Sequence, residues 1–421
     1  MISVRTPLPF RQDGFVKQDC RHKGPQAGEE MTSTQERIQI RKDLFGRVKR
    51  AVIKVGTGVL TLDHDLNVKV IRRLVREISW LVDQGHEVIL VSSGAIGSGV
   101  KKMGITQRPT DIPQKQAAAA VGQPTLMLAY EKAFQRYERK VAQVLLTRDD
   151  LCNRRRHLNA RNTLNVLLDW QVLPIINEND TVVVDELKFG DNDNLSAMIT
   201  HLMDAQVLIS LTDTDGLYDK DPQAHEDASL IPLVSKIDRA MEQAAGEIPG
   251  ALGMGGMSSK LQTAKKVTTS GIPMVIASGL KSNVLKGLFQ GKDIGTLFLP
   301  KRQKMTSRKC WIAFTLKAKG AIRVDRGAAR AICQQGKSLL PIGITDVEGD
   351  FREGAMVCCL DPDGVTFARG LVNYGAADIR KLMGLKTSQI EQRLGHKHYD
   401  EVIHRDNLVM TLDEAGECTC R

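Results

Sequence analysis

Two lysines of this sequence lie beside glycines, a pattern that suits the binding of a polyanion. Lys54 is inside the apolar run VIKVGTG, and Lys260 follows the glycines of GMGGMSSKLQ. A lysine on a buried strand is costly unless an anion pairs with it, and glycines let backbone N–H groups approach a phosphate. A solvated strand end would explain Lys54 without a ligand, and the sequence has no P-loop motif GxxxxGK[ST]. Two such lysine sites favour a polyphosphate over a lone carboxylate.

A third glycine-rich stretch, VSSGAIGSG, contains Ser92, Ser93 and Gly94 where a strand pattern gives way to a helix pattern. The free N–H groups of a helix N-terminus bind phosphate or carboxylate. A serine cap followed by a glycine turn explains this stretch equally well in isolation. Taken with the two lysine sites, it predicts a further contact for an anionic substrate.

Short acidic and amide side chains form three more clusters. INEND ends at Asp180, GDNDN runs through Asp191 to Asn194, and LTDTDG contains Thr212 and Asp213. Turns and helix caps account for one or two of these residues, and we assign Asp191 and Asn194 to that role. The other carboxylates can position a cation or a lysine, and positioning with electrostatic stabilisation is enough for phosphoryl transfer. The nine histidines are scattered, so the sequence suggests no covalent catalysis.

The elements around these clusters must bring them together. From Arg50 to about Pro300, short apolar strands alternate with helical patterns, which predicts an α/β fold: an αβα sandwich with a mostly parallel central sheet. In such sheets ligands lie beyond the carboxyl ends of the strands. The polar and glycine-rich clusters all fall at those ends. Four alanines in KQAAAAVGQP predict close packing of one long helix.

The pattern changes near residue 300. PKRQKMTSRK indicates an exposed linker, and WIAFTL, AIRVD, MVCCL and VTFARGLVNY predict the strands of a small, mostly β domain with one helix, GAARAICQQG. We therefore expect a disordered N-terminal extension (1–46), a catalytic domain (47–300), a linker (301–309), a second domain (310–405) and a polar tail (406–421).

Composition limits the classes of function. The net charge of +10 is spread unevenly, because residues 1–50 hold 11 Lys/Arg against 6 Asp/Glu, whereas the chain from Ser307 onward holds 17 against 15. A basic tail therefore explains the charge as well as a nucleic-acid-binding face does. The eight cysteines form no CxxC pair, which favours reduced thiols and a cytoplasmic location. No apolar run approaches the roughly 18 residues that span a membrane.

Eight motifs together resemble those of the glutamate 5-kinases of the amino-acid kinase superfamily. They are VIKVGTGVLT, VSSGAIGSG, LTRDD, LNARNTL, INEND, GDNDNLSA, LTDTDGLYDKDP and GGMSSKLQ, in the family's order and at its spacing. INEND followed by GDNDNLSA is the most specific pair. The second domain resembles the PUA module that follows many bacterial forms of this enzyme. The resemblance implies ATP-dependent phosphorylation of the side-chain carboxylate of L-glutamate to L-glutamyl 5-phosphate, the first step of proline biosynthesis.

The resemblance also implies roles for single residues. Lys54 and Lys260 would be catalytic, drawing charge from the transferring phosphoryl group, and Asp193 would organise the two lysines. Glutamate would be held by Ser93, Asp180 and Asn192. ATP would be held by Lys54, Thr212, Asp213, Met254, Gly255, Gly256, Met257, Ser258, Ser259 and Lys260. Mg²⁺ would bridge phosphate oxygens rather than occupy a protein cage, so we name no metal-ligating residue.

Two positions depart from the family pattern. Position 58 is Gly where Ser is often found, and position 254 is Met where Thr is common, which removes a hydroxyl near the nucleotide. The nearest alternatives are a kinase acting on acetylglutamate or aspartate and an RNA-binding protein built around the PUA-like domain. The near-neutral charge of that domain counts against RNA. As partners the resemblance implies a homo-oligomer, proline as feedback inhibitor and RNA as a candidate ligand of the PUA-like domain, and we expect no membrane contact.

Overall fold

The computed structural model of the protein describes residues 33–62, 65–105, 109–183, 191–247, 256–301 and 304–411. Two β-sheets dominate it: an eight-stranded sheet in the first part of the chain and a five-stranded sheet in the second. Helices cover both faces of the larger sheet, as described below. This arrangement confirms the predicted αβα sandwich and the small, mostly β second domain.

The strands of the first part are β1 (Arg50–Val55), β2 (Thr61–Leu62), β3 (Asp65–Leu66), β4 (Glu87–Ser92), β5 (Lys140–Leu146), β6 (Val172–Glu178), β7 (Val207–Thr212), β8 (Leu233–Val234), β9 (Met274–Ser278) and β10 (Thr296–Phe298). Its helices are α1 (Thr34–Phe45), α2 (Thr57–Leu60), α3 (Val68–Asp83), α4 (Ala95–Lys102), α5 (Ile112–Gln135), α6 (Arg148–Cys152), α7 (Arg154–Asp169), α8 (Asp191–Leu202), α9 (Arg239–Glu247), α10 (Met257–Thr269) and α11 (Val284–Phe289).

The order of the large sheet is β5-β6-β4-β1-β7-β9-β10-β8. The strands from β5 to β9 run parallel, whereas β10 is antiparallel to β9 and β8 follows the direction of β10. The carboxyl ends of β6, β4, β1, β7 and β9 therefore meet along one side of the sheet, which we call the carboxyl edge. The strands β8 and β10 end at the opposite edge.

Both faces of the large sheet are buried. On β1, Ile53 belongs to an apolar cluster that includes residues of α3 and α5, and Val52 belongs to a second cluster that includes residues of α8 and α10. Successive side chains of a strand point to opposite faces. Lys54 therefore shares its face with Val52 and points toward α8 and α10.

The helices α4 and α5 are in very close contact beside the carboxyl edge. A Cβ atom at Gly99 would lie 1.7 Å from the carbonyl oxygen of Ala118, and one at Gly122 would lie 1.9 Å from that of Ala95. Only glycine fits at both positions. The close packing predicted from the alanine run is present, and the two glycines bring the backbones together.

The N-terminal prediction is wrong over residues 33–46. Instead of disorder, Ser33 caps α1 through a capping box. Arg41 is completely buried and donates hydrogen bonds to the carbonyl oxygens of Pro232, Ile294 and Gly295 at 2.9–3.1 Å. These contacts, together with Ile40, Leu44 and Phe45 packed on the main core, hold a helix whose apolar residues are too few to give a periodic signal. Residues 1–32 of that prediction lie outside the described residues.

The connector (residues 300–316) was predicted as an exposed linker followed by a strand. None of the described residues of 301–309 is buried, as predicted, but the strand prediction is wrong. The connector's described residues form α12 (Ser307–Cys310) and a π-helical turn (Trp311–Thr315). The indole of Trp311 is buried, and its Nε1 donates to the Leu151 carbonyl oxygen at 2.8 Å. The backbone N–H of Met305 also donates a hydrogen bond to the Ser270 carbonyl oxygen. Apolar side chains on both sides of Trp311 favour burial over exposure.

The second sheet has the order β12-β11-β13-β14-β15. Its strands are β11 (Ala321–Val324), β12 (Ile344–Glu348), β13 (Met356–Leu360), β14 (Thr366–Leu371) and β15 (Leu408–Met410), and its helices are α13 (Arg326–Gln335), α14 (Ala376–Leu382) and α15 (Ile390–Leu394). The predicted polar tail from 406 is wrong for β15, because Leu408 and Val409 are buried against this sheet. One helix was predicted in this domain. The described residues also form α14 and α15, which were missed because each is short. Residues 412–421 lie outside the described residues.

The connector ties the two domains through one small apolar cluster. Trp311 and Ile312 pack there with Met356 of β13 and Val409 of β15. The same indole lies 5.5 Å from the ring of His157 on α7, between centroids. Trp311 therefore contacts both domains.

In the described part of the chain, no helix is long and apolar enough to cross a membrane.

We predict that Trp311→Ala lowers the free energy of unfolding by about 3–5 kcal/mol, since a buried indole and its hydrogen bond are lost. Trp170→Ala is the matched control, because Trp170 is 71% exposed, and it should change stability by less than about 0.5 kcal/mol. Urea unfolding followed by circular dichroism measures both. Equal effects of the two substitutions would contradict the bridging role of Trp311.

Candidate active site

A buried carboxylate joins two lysines at the carboxyl edge. Asp193 is 1% exposed; its Oδ1 lies 2.6 Å from Lys54 Nζ, and its Oδ2 lies 3.9 Å from Lys260 Nζ. The short contact is an ion pair without hydrogen-bond alignment, because Oδ1 accepts no hydrogen bond within the described residues. Oδ2 accepts one from Ser259 Oγ at 3.0 Å. The structure thus brings together the three residues predicted as catalytic.

Three elements place these groups. Lys54 comes from β1, Asp193 from the first turn of α8, and Lys260 from the first turn of α10, whose N-cap is Gly256. The N-terminus of a helix carries a partial positive charge. The negative charge of Asp193 is therefore stabilised by its place in the first turn of α8. The N-terminus of α10 adds its partial positive charge to that of Lys260.

Two lysines are buried beside one buried carboxylate. Their side chains are 6% and 8% exposed. Burial lowers the pKa of Lys260, the nearby Asp193 raises it, Lys54 lowers it, and Asp213 raises it. Because burial is the largest of these effects, an anion that joins the site would stabilise the charged form of Lys260. The cluster is suited to binding a polyanion.

Asn192 is oriented by a network of buried polar groups. Its Nδ2 donates to Ser93 Oγ at 2.8 Å, to Asn177 Oδ1 at 3.1 Å and to the Ser92 carbonyl oxygen at 3.2 Å. Its Oδ1 is buried without a hydrogen-bond partner among the described residues. The amide donor is thus used by the protein, and the acceptor remains for a ligand that carries an N–H group.

Sequence reasoning missed two residues of this network. Asn177 donates to Gln123 Oε1 at 2.9 Å, and Gln123 in turn donates to Gln143 Oε1 at 3.2 Å. Asn177 and Gln123 are buried. Asn177 stands in INEND, so its place at a strand end was a usable signal. Gln123 could have been found as a polar side chain among the alanines of α5.

Thr212 ends β7, and Asp213 follows it at the same edge. Thr212 is buried and donates through Oγ1 to Asp213 Oδ1 at 2.9 Å. A Cβ atom at Gly58 would lie 2.8 Å from Asp213 Oδ2. The departure at position 58 therefore leaves room for the Asp213 carboxylate beside α2.

The structure describes only some of the remaining predicted residues. Asp180 lies two residues beyond β6 at the carboxyl edge, and Met257 and Ser258 are in the first turn of α10. Met254 and Gly255 lie outside the described residues, as does the side chain of Asp191.

Asn194 is not the cap that we predicted. It lies inside α8, which begins at Asp191, and its Oδ1 accepts a hydrogen bond from Lys266 Nζ on α10 at 2.8 Å. A helix cap must precede the first turn, and Asn194 comes too late in α8 to fill that position. Its amide joins α8 to α10 instead.

Among the described residues, no group of three or more His, Cys, Asp or Glu side chains is arranged to hold a metal ion. Asp193 is already paired with two lysines. The carboxylate at the centre of the site is therefore better suited to positioning the lysines than to coordinating a cation.

Comparisons with known proteins agree with this geometry. The family model described as "Amino acid kinase family" matches residues 49–278, and "PUA domain" matches residues 320–394. The chain is 54% identical to a protein of Syntrophus aciditrophicus named "Glutamate 5-kinase" over 370 residues, which are 88% of this chain and 96% of that protein. Proteins of the same name from Geobacter sp. and Geobacter metallireducens are 51% and 53% identical over 372 residues, 88% of this chain and 100% of each relative.

We predict that Asp193→Asn lowers the pKa of Lys260 further, because it removes the strongest influence that raises this pKa. Asp213→Asn is the matched control and should lower it less, since Asp213 has the weaker effect. A ¹³C NMR titration of labelled lysine side chains, assigned with Lys260→Arg, measures both. A larger shift from Asp213→Asn would contradict the pairing of Lys260 with Asp193.

Proposed function

The chain belongs to the amino acid kinase family, and we infer that within it the chain is a glutamate 5-kinase. It transfers the terminal phosphoryl group of ATP to the side-chain carboxylate of L-glutamate, giving L-glutamyl 5-phosphate and ADP, the step that opens proline biosynthesis. The observation that carries this conclusion is 54% identity to a glutamate 5-kinase over 96% of that enzyme.

The chemistry requires cations more than a general base. A glutamate side chain has a pKa near 4.3 in solution and is ionised at neutral pH, so the nucleophilic oxygen needs no deprotonation. The difficulty is that this carboxylate must approach a triphosphate of the same charge. Lys54 and Lys260 offset that repulsion and stabilise the charge on the phosphoryl oxygens as the bond to the ADP oxygen breaks. Asp193 holds both lysines at the phosphoryl path through their ion pairs.

The glutamate end is supported by the unsatisfied acceptor of Asn192. Its buried Oδ1 would accept a hydrogen bond from the substrate ammonium, while its Nδ2 stays engaged with Ser93 and Asn177. The Ser93 hydroxyl accepts from Asn192 and can donate its own hydrogen to a substrate carboxylate. Asp180, at the same edge, would add a carboxylate for the ammonium.

ATP would lie across the turns after β1 and β7 and the N-terminus of α10. Backbone N–H groups at Gly256 and in the first turn of α10 suit phosphate oxygens, and Thr212 and Asp213 lie on the adjoining turn. Mg²⁺, when bound with ATP, would neutralise charge between phosphate oxygens. Because position 254 is Met where Thr is common, its side chain has no hydroxyl to contribute to ATP binding.

Three proposals about partners extend this function. A homo-oligomer and feedback inhibition by proline follow from the family resemblance; equilibrium sedimentation tests the first, and kinase activity with and without proline tests the second. RNA binding by the PUA domain is the weakest of the three, because the domain is close to neutral in charge.

The activity is tested by incubating the protein with ATP, Mg²⁺ and either L-glutamate, N-acetyl-L-glutamate or L-aspartate. We expect ADP release and an acyl phosphate, trapped by hydroxylamine, with L-glutamate alone. Turnover of acetylglutamate or aspartate instead would assign the chain to another branch of the family.

We predict that Lys54→Met and Lys260→Met each lower kcat by about 100-fold or more, with a smaller change in the KM for ATP, since the charge acts mainly in the transition state. Lys265→Met is the matched control on α10, because Lys265 is paired with Glu242 and is 52% exposed. It should leave kcat within about twofold of wild type. A Lys260→Met enzyme with normal kcat would remove Lys260 from the mechanism.

We predict that Asn192→Ala raises the KM for L-glutamate and leaves the KM for ATP nearly unchanged, because it removes the acceptor for the ammonium. Asn194→Ala is the matched control two residues along α8; it breaks the contact with Lys266 but no proposed substrate contact. Steady-state kinetics of both variants, each checked for folding by circular dichroism, decide the point. An Asn192→Ala enzyme that changes only kcat would contradict a substrate-binding role.

A further inference from the structure

A second cationic site lies between the two domains, away from the carboxyl edge. A cavity of about 1200 Å³ is lined by β8, β10, α9, the second half of α10, the connector and β14. The strands β8 and β10 end at the opposite edge of the large sheet. Lys260 lies in the first turn of α10, whereas Thr268 and Thr269 of the cavity lie at its end. The cavity is therefore separate from the phosphoryl-transfer site.

The charge of this cavity is strongly unbalanced. Eight of its lining residues are Lys or Arg, and two, Asp238 and Glu242, are acidic. Glu242 is already paired with Lys265. Cations that line one cavity repel one another, and the repulsion is strongest for those less exposed to water, Arg148, Lys266 and Arg369. Such a cavity is stabilised when an anion enters it.

Both domains contribute arginines to the cavity. Arg148 comes from α6 of the first domain, and Arg369 comes from β14 of the second. The Nε atom of each is buried and has no hydrogen-bond partner among the described residues. Neither guanidinium forms an ion pair with a described carboxylate. The side chain of Arg148 contacts the Cys152 thiol, but no described carboxylate balances either arginine. Buried polar groups of this kind usually have a partner, and an anion in the cavity would provide one for both.

The occupant that fits is a compact, multiply phosphorylated small molecule. The cavity is larger than the roughly 300–1,000 Å³ of most small-molecule sites, so it has room for a polyphosphate with its hydration water, and apolar residues such as Val234, Ile237 and Leu316 line it beside the cations. Single-stranded nucleic acid is bound largely by stacking on aromatic side chains. The half-exposed aromatic ring of this cavity, Phe314, is already stacked on His201 at 5.5 Å. We propose that the interdomain cavity is a second binding site for such a polyphosphate, separate from the substrate site.

The test is calorimetric titration of the full chain with inorganic tripolyphosphate. Wild type should show two sites, since the active site also binds phosphates. In Arg148→Gln and in Arg369→Gln, one of the two should weaken by at least about tenfold, because each loses a charge-assisted contact. The KM for ATP should stay unchanged in both. Lys236→Gln, another cation of the cavity, is a third variant in case either arginine substitution impairs folding.

Arg323→Gln is the matched control. Arg323 lies on β11 of the same sheet as Arg369, but it is paired with Glu348 and does not line the cavity. It should leave both sites intact. Unchanged tripolyphosphate binding in all three cavity variants would overturn the proposal, and so would a parallel rise in the KM for ATP. Loss of binding to a single-stranded oligoribonucleotide, with tripolyphosphate binding unaffected, would overturn it in favour of nucleic acid.

Discussion

The carboxylate of Asp193, between Lys54 and Lys260, is the interaction on which the rest of the active site depends. A buried lysine next to another lysine is unfavourable, and a single carboxylate at their centre makes the pair tolerable. The three groups come from β1, α8 and α10, so they meet only when both helices are packed on one face of the sheet. The apolar packing of α8 and α10 and the ion pairs of Asp193 are therefore mutually dependent, because each holds the side chains in the positions that the other requires.

The same site leaves two needs unmet by the protein itself. Its two lysines are buried, at a cost to their charged forms, and the acceptor of Asn192 is buried without a partner among the described residues. A ligand that meets both needs must bring negative charge to the lysines and an N–H donor to Asn192. An amino acid with a second carboxylate, bound beside a triphosphate, has this combination. The buried lysines and the Asn192 acceptor lower the stability of the unliganded protein, and the same groups select its substrates.

How far the sequence predicted the structure depended on whether the signal was local. Lys54, Asp193 and Lys260 were found because each stands at a strand or helix end marked by glycines or by short polar residues. Their direct contact was implied only by the family resemblance, since no spacing along the chain encodes it. Local rules failed where a distant contact decides the structure. Arg41 stabilises α1 through residues about 200 positions away, and Asn194 bonds across to α10. The strand predicted at Trp311 was wrong because this segment packs between two domains instead of joining a sheet.

The anchoring of α1 has a consequence for the nascent chain on the ribosome. Arg41 is synthesised early, but the carbonyl groups that receive its hydrogen bonds belong to Pro232, Ile294 and Gly295. At translation rates of roughly 5–20 residues per second, the last of these partners emerges on the order of 10–50 s after Arg41. During that interval α1 lacks these partners and also Phe289, on whose ring Phe45 packs, and a helix this short is marginal without its tertiary contacts. The first helix of the described chain is therefore among the last parts of the first domain to fold, and a chaperone that binds emerging segments would have access to it throughout.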